Sequence, residues 1–189
     1  MGTAAGDVVT ISRLNLASTL DGPADLVITD TINWNGGTIG GSGVLSIPDT
    51  VVLNITTTST LTGRTLENAG TVNWMNGNFT VADGALINNQ VGAVFDMQTN
   101  GNFSVSGTVP PFNNEGTLIY SSALYQLYIA LPINNVGTFE IQNATVEMNG
   151  DLTTTGTVNI GDGATLRLNS SSVLDNTVTI GAGGRLDFP

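Results

Sequence analysis

Apolar and polar positions alternate along this chain in short runs, and one run recurs. It is a four-residue unit of Thr, an apolar residue, any residue, then a large apolar residue. It reads Thr31-Ile32-Asn33-Trp34, Thr50-Val51-Val52-Leu53, Thr71-Val72-Asn73-Trp74 and, in degenerate form, Ala93-Val94-Phe95-Asp96. It returns as Thr117-Leu118-Ile119-Tyr120, Thr138-Phe139-Glu140-Ile141, Thr157-Val158-Asn159-Ile160 and Thr177-Val178-Thr179-Ile180. Successive units start 19, 21, 22, 24, 21, 19 and 20 residues apart. Thr10-Ile11 offers the start of a weaker copy.

A period of two turns successive side chains to opposite faces, which predicts a strand with one buried side. A second run of the same period follows in each repeat, with apolar pairs Phe79/Val81, Phe103/Val105, Tyr125/Leu127, Val146/Met148, Leu166/Leu168 and Leu186/Phe188. A third, more ragged segment carries Leu45/Ile47, Leu86/Ile87, Phe112, Ile133, Leu152 and Leu174. It leads into Asn-rich corners such as Asn113-Asn114-Glu115-Gly116 and Asn134-Asn135-Val136-Gly137.

Three short strands and three turns in ~21 residues make one turn of a solenoid. Helical repeats need a 3.6 period, which is absent. The fold expected is all-β: a right-handed parallel β-helix of about eight coils, the hand following from the rule for parallel crossovers. The repeat covers residues 30–189, and residues 1–29, with Asp21-Gly22-Pro23, read as an N-terminal cap, linker or assembly arm. Ile32, Val72, Leu118, Phe139, Val158 and Val178 should stack in one buried column, with Trp34 and Trp74 in the core beside it. The residues preceding the units are Asp30, Asp49, Gly70, Gly92, Gly116, Gly137, Gly156 and Asn176. All are types that tolerate positive φ, so each repeat is expected to turn on a left-handed residue.

The N-x-G-T corners, as in Asn114-Glu115-Gly116-Thr117 and Asn135-Val136-Gly137-Thr138, sit in a Thr/Asn/Gly-rich, Lys-free chain. In this style the repeat resembles the parallel β-helix regions of large bacterial secreted and surface proteins, the filamentous-haemagglutinin-like adhesins and autotransporter passengers. The resemblance covers about residues 30–189 and is one of repeat style, without a catalytic signature. It implies an extracellular or cell-surface stalk, adhesin segment or fibre subunit.

Composition narrows the chemistry. The chain has 27 Thr, 24 Gly and 21 Asn, with no Cys and no His. Its four Arg face fifteen acids, for a net charge of -11. Disulfides, thiolate metal sites and imidazole-based catalysis are excluded. So few cations cannot neutralise a phosphate backbone, which argues against nucleic acid. No apolar run approaches the ~20 residues of a spanning helix, so no membrane insertion is expected.

Individual candidates are weighed against plainer readings. The Thr column suggests an ice-binding lattice, but the column two residues on is mixed and partly apolar. The Asp83-Gly84 and Asp162-Gly163 turns leave open only weak Ca2+ binding, and no other cofactor is expected. Glu140 and Glu147 are the nearest thing to a carboxylate pair, without an evident basic neighbour, so the chain is not expected to be an enzyme. The run Tyr120–Pro132 is apolar on both faces, which marks Tyr120, Leu124 and Tyr128 as a candidate contact surface for a neighbouring chain, a loop or a sugar. Val8, Val9 and Ile11 at one end, and Leu186 and Phe188 at the other, are candidate assembly ends, because exposed strand edges template pairing. The partners expected are another copy or a longer solenoid, end to end. The rival reading is a carbohydrate-binding or polysaccharide-processing β-helix.

Overall fold

A computed structural model describes residues 4–123 and 126–189. The described residues form nine coils and no helix, which bears out the all-β parallel β-helix. Each coil contributes one strand to each of three parallel ladders. The first ladder holds the Thr units and includes 31–34, Thr71–Trp74, Thr117–Tyr120, Thr138–Ile141 and Thr157–Ile160. The second includes Ser59–Thr62, Phe79–Ala82, Asn102–Ser106, Gln126–Ile129 and Thr145–Met148. The third includes Thr65–Asn68, Leu86–Asn89, Phe112–Asn114, Ile133–Asn135 and Leu152–Thr154. Below residue 30 the stack continues: Val8–Leu16 pairs in parallel with Asp25–Trp34, and Thr19–Leu20 with Gly37–Ile39. That segment supplies the ninth coil.

The ladders define the core residue by residue. Leu14, Ile32, Leu53, Val72, Phe95, Leu118, Phe139, Val158 and Val178 are in register in one column. Seven of these are fully buried, while Leu14 and Val178, on the two end coils, are half-buried. The neighbouring column carries Trp34, Trp74, Met97, Tyr120 and Ile141, all buried. Edge-to-face and stacked rings run through the lower coils, Trp34 to Phe79 at 5.6 Å, Phe79 to Phe103 at 5.4 Å and Phe95 to Phe112 at 5.2 Å. Such geometries add to burial.

Two units sit later than the Thr pattern implies. The third coil enters the first ladder at Val52, not Thr50, and the fifth at Val94, not Ala93. In both, an extra tight turn occupies the corner, closed by Val51 N–H to Pro48 O and by Ala93 N–H to Gln90 O. The coil absorbs the added residues there and keeps its inward set inward, because a slip of one would turn every side chain over. In the second ladder the upper inward pair is Leu127/Ile129. Tyr125 lies outside the described residues.

The expected left-handed turn residues need correcting. Of the eight, only Gly92 has positive φ, at 84°. Gly70, Gly116, Gly137 and Gly156 are required by close approach instead. A Cβ on Gly137 would lie 2.1 Å from Gly116 O, and one on Gly116 would lie 2.4 Å from both Ala93 O and Gln90 O. The cause is visible in the hydrogen bonds: Val136 and Gly137 both donate to Asn114 O, and Glu115 and Gly116 both donate to Asn89 O. One carbonyl serving two amides draws the corner onto the coil below. Asp30, Asp49 and Asn176 also lie outside the positive-φ region.

Inside these corners runs an amide ladder. Asn68 Nδ2 donates to Asn89 Oδ1 at 2.7 Å, Asn89 to Asn114 at 2.8 Å, Asn114 to Asn135 at 2.7 Å, and Asn135 to Thr154 Oγ1 at 2.8 Å. Each Asn Nδ2 also caps a strand carbonyl of the next coil: Val94 O, Thr117 O, Thr138 O and Thr157 O. All five side chains are buried. At a different corner, between the second and third ladders, Arg64 is fully buried. Its guanidinium donates to Gly40 O, Ala24 O, Val44 O and Gly22 O at 2.8, 2.9, 3.2 and 2.6 Å. Burial lowers its pKa, and the nearby charges of Asp25 and Asp21 oppose that shift.

Candidate functional site

The strands of the third ladder point alternate residues outward, and the column Glu67, Asn88, Asn113, Asn134, Thr153 follows from its register. Along one side of this column the corner residues stand proud: Gln90, Val91, Glu115, Val136 and Thr155. Column and corners enclose a groove of about 740 Å³. It spans five coils, roughly 19 Å along the axis at ~4.8 Å per step. The two-residue enlargement of the fifth corner pushes Val91 out to 78% exposure, and Val136 is 62% exposed.

The groove floor is a second amide ladder. Asn134 Nδ2 donates to Asn113 Oδ1 at 3.2 Å, Asn113 to Asn88 at 2.9 Å, and Asn88 to Glu67 Oε1 at 2.6 Å. Gln90 Nε2 donates to the other Glu67 oxygen at 2.9 Å. A third amide column, Asn15, Asn33, Asn54 and Asn73, faces outward on the first ladder with bonds of 2.9 to 3.1 Å. Among the described residues, Glu67 and Glu115 are the acids lining the groove and no Arg lines it.

The other candidates fall as follows. Tyr120 is not part of a surface: it is fully buried in the second core column, where desolvation pushes its phenol up and a hydrogen bond with Ser122 opposes this. Its place as the large apolar residue of the Thr117-Leu118-Ile119-Tyr120 unit turns it inward, and this outweighs the apolar character of the run that follows. Tyr128 is 41% exposed and lines a shallow depression of about 360 Å³ with Asn102, Ser104 and Asn149. Leu124 lies outside the described residues. Val8 and Phe188 are exposed, while Val9, Ile11 and Leu186 are half-buried against the core. Phe188 does not face the core.

Glu140 and Glu147 lie on different ladders and form no pair. Glu147 does have a basic neighbour, contrary to the sequence reading: Arg167 bridges it and Asp187, and Arg185 pairs with Asp187 at 3.0 Å. Parallel register made this pairing visible only once Glu147, Arg167 and Asp187 fell into one outward column. Asp83 sits in a tight turn at φ 50°, and Asp162 Oδ1 accepts Ala182 N–H. Among the described residues no three acids gather where a metal ion would sit. The Thr column of the first ladder is interrupted by Val52 and Val94. The groove itself escaped the sequence reading, because its wall depends on corner lengths. The doubled Asn88-Asn89, Asn113-Asn114 and Asn134-Asn135 were its signal, one residue of each pair turned inward and the other out. Comparison with family models, curated proteins and solved structures returned no match.

Proposed function

We propose that this chain is a non-catalytic rod segment of an extracellular or cell-surface protein: a stalk, adhesin segment or fibre subunit that needs no cofactor. The observation that carries this reading is the continuity of the inward column of the first ladder through the nine coils of the described residues. A solenoid of this kind is stiff because each coil is bonded to its neighbours and buries their apolar faces. The charge of -11 suits a chain that stays dispersed laterally. Both end coils carry apolar side chains in the column positions, Ile11 and Leu14 at one end and Val178 and Leu186 at the other. They fit axial stacking, on further coils or on a second copy.

Small-angle scattering and negative-stain microscopy over a concentration series test the reading. The expected result is a rod at every concentration, lengthening axially as concentration rises. Ile180 and Phe188 are exposed on the last coil, and an Ile180→Asp, Phe188→Asp double variant should stay at single-rod length. A compact, isotropic particle would overturn the rod reading. A rod that never lengthens would remove the end-to-end partner and leave the spacer role.

A further inference from the structure

We infer that the groove over Asn88, Asn113 and Asn134 binds a neutral, extended polysaccharide lying parallel to the solenoid axis, with its sugar rings spaced about one per coil. This inference is independent of the rod reading. Three features of the groove carry it.

The first is hydrogen-bonding capacity. An amide has two N–H donors and two acceptor lone pairs. The floor ladder uses one donor and one acceptor of Asn113, and one of each of Asn88. What remains is a row of groups that both donate and accept, repeated every ~4.8 Å. Sugar hydroxyls also donate and accept, and an extended pyranose chain advances by a similar distance per ring. A regular polymer therefore meets the same pair of groups at each coil.

The second feature is the wall. Val91 and Val136 place apolar surface beside the amides, two coils apart. Sugar rings present C–H faces between their hydroxyls, and mixed apolar and polar lining is the character of small-ligand sites. The third is charge. Glu67 and Glu115 line the groove with no cation beside them among the described residues, so an acidic polysaccharide is repelled.

An extended peptide fits less well. Peptides that add to sheets rely on unpaired main-chain groups at an edge. Here the groove crosses the strands, and its backbone amides are committed: Gln90 to Asn68 O, Glu115 to Asn89 O and Val136 to Asn114 O.

Titration calorimetry on the whole chain tests the proposal, with cellohexaose and chitohexaose as neutral probes. Hexagalacturonate serves as the acidic probe, and a Ser/Thr-rich extended peptide as the alternative. The expected result is saturable binding of at least one neutral hexasaccharide, with hexagalacturonate at least tenfold weaker. Asn113→Ala should weaken that binding at least tenfold, whereas Asn54→Ala, in the outward amide column of the first ladder, should not change it. Should Asn113→Ala fail to fold, Val136→Glu, a change at an exposed wall position, should give the same loss. No saturable binding of either neutral probe would overturn the proposal. So would tighter binding of hexagalacturonate or of the peptide, or affinity left unchanged by both groove variants.

Discussion

Replacing the central rung of the buried amide ladder, Asn114→Leu, isolates what that ladder contributes. The side chain donates to Asn135 Oδ1 at 2.7 Å and to Thr138 O at 2.9 Å, and accepts from Asn89 Nδ2 at 2.8 Å. Leu keeps the branched skeleton and is the larger side chain, so no cavity forms, and any crowding adds to the cost. The loss lies in three buried polar groups that each lose a hydrogen bond, at ~1–3 kcal/mol apiece; Asn89 Nδ2 keeps its bond to Thr117 O. Part is recovered by burying an apolar side chain, worth about 2 kcal/mol. The net expectation is a destabilisation of roughly 3–5 kcal/mol from these terms. In a chain of this length, each kcal/mol moves the melting temperature by ~2–4 °C. Thermal melts followed by circular dichroism should therefore show a fall on the order of 10 °C. Asn113→Leu, one residue away and facing the groove, leaves its partners open to water and should shift the melt by less than about a third of that. A melt for Asn114→Leu within ~2 °C of the parent, or equal shifts for the two variants, would refute the argument that burial sets the cost of an unpaired amide.

Gly137→Ala should destabilise more than Gly84→Ala, although Gly84 has φ 81° and Gly137 does not have positive φ. The first meets backbone at 2.1 Å and costs about 2–3 kcal/mol. The second has open space and costs ~1–2 kcal/mol for its left-handed conformation; denaturant titration ranks the two. Trp34 Nε1 is buried without a partner among the described residues, whereas Trp74 Nε1 donates to Gly77 O at 3.0 Å. Trp34→Phe should therefore cost at least ~1 kcal/mol less than Trp74→Phe in the same titration. Tyr120 has its phenol held above the ordinary range by burial. Its contribution is complete below the unfolded value of ~10 and is lost as pH rises towards the folded one. Melts of the parent should fall more steeply than those of Tyr120→Phe between pH ~9 and ~11.

The coil was legible in the sequence because strand periodicity and the Thr-φ-x-φ unit are local signals. Ile32, Val72, Leu118, Phe139 and Val158 could be assigned to one column without coordinates. Corner length was not legible. Thr50 looks like a unit start, yet the Pro48-Asp49-Thr50-Val51 turn consumes it, and only pairing with Thr71 places Val52 correctly. Gly92 has the left-handed conformation expected of it, but Gly70, Gly116, Gly137 and Gly156 are special for another reason. Positive φ is a property of one residue, whereas the requirement at Gly116 and Gly137 comes from carbonyls of the coil below. The same limit hid the groove and the Glu147–Arg167 pair, since both depend on residues about twenty positions apart sharing a face. Tyr120 shows the converse: its spacing matches Trp74, and that register carried more information than the apolar character of its neighbours.

Arg64 has a mechanical consequence. Its four acceptors belong to the two preceding corners between the second and third ladders, Gly22 and Ala24 in one, Gly40 and Val44 in the next. Tension along the axis of a solenoid peels coils one at a time, because each strand lies across the load and its bonds open in sequence. A guanidinium that grips two lower corners from a third breaks that sequence: none of the three can separate until several charge-assisted bonds yield together. Resistance to forced unfolding follows the barrier to opening rather than the equilibrium stability. The lower coils are thus the mechanical clamp of the molecule. The coils above are joined at their corners by neutral amide and backbone bonds that each reach only the adjacent coil, so they can open one after another.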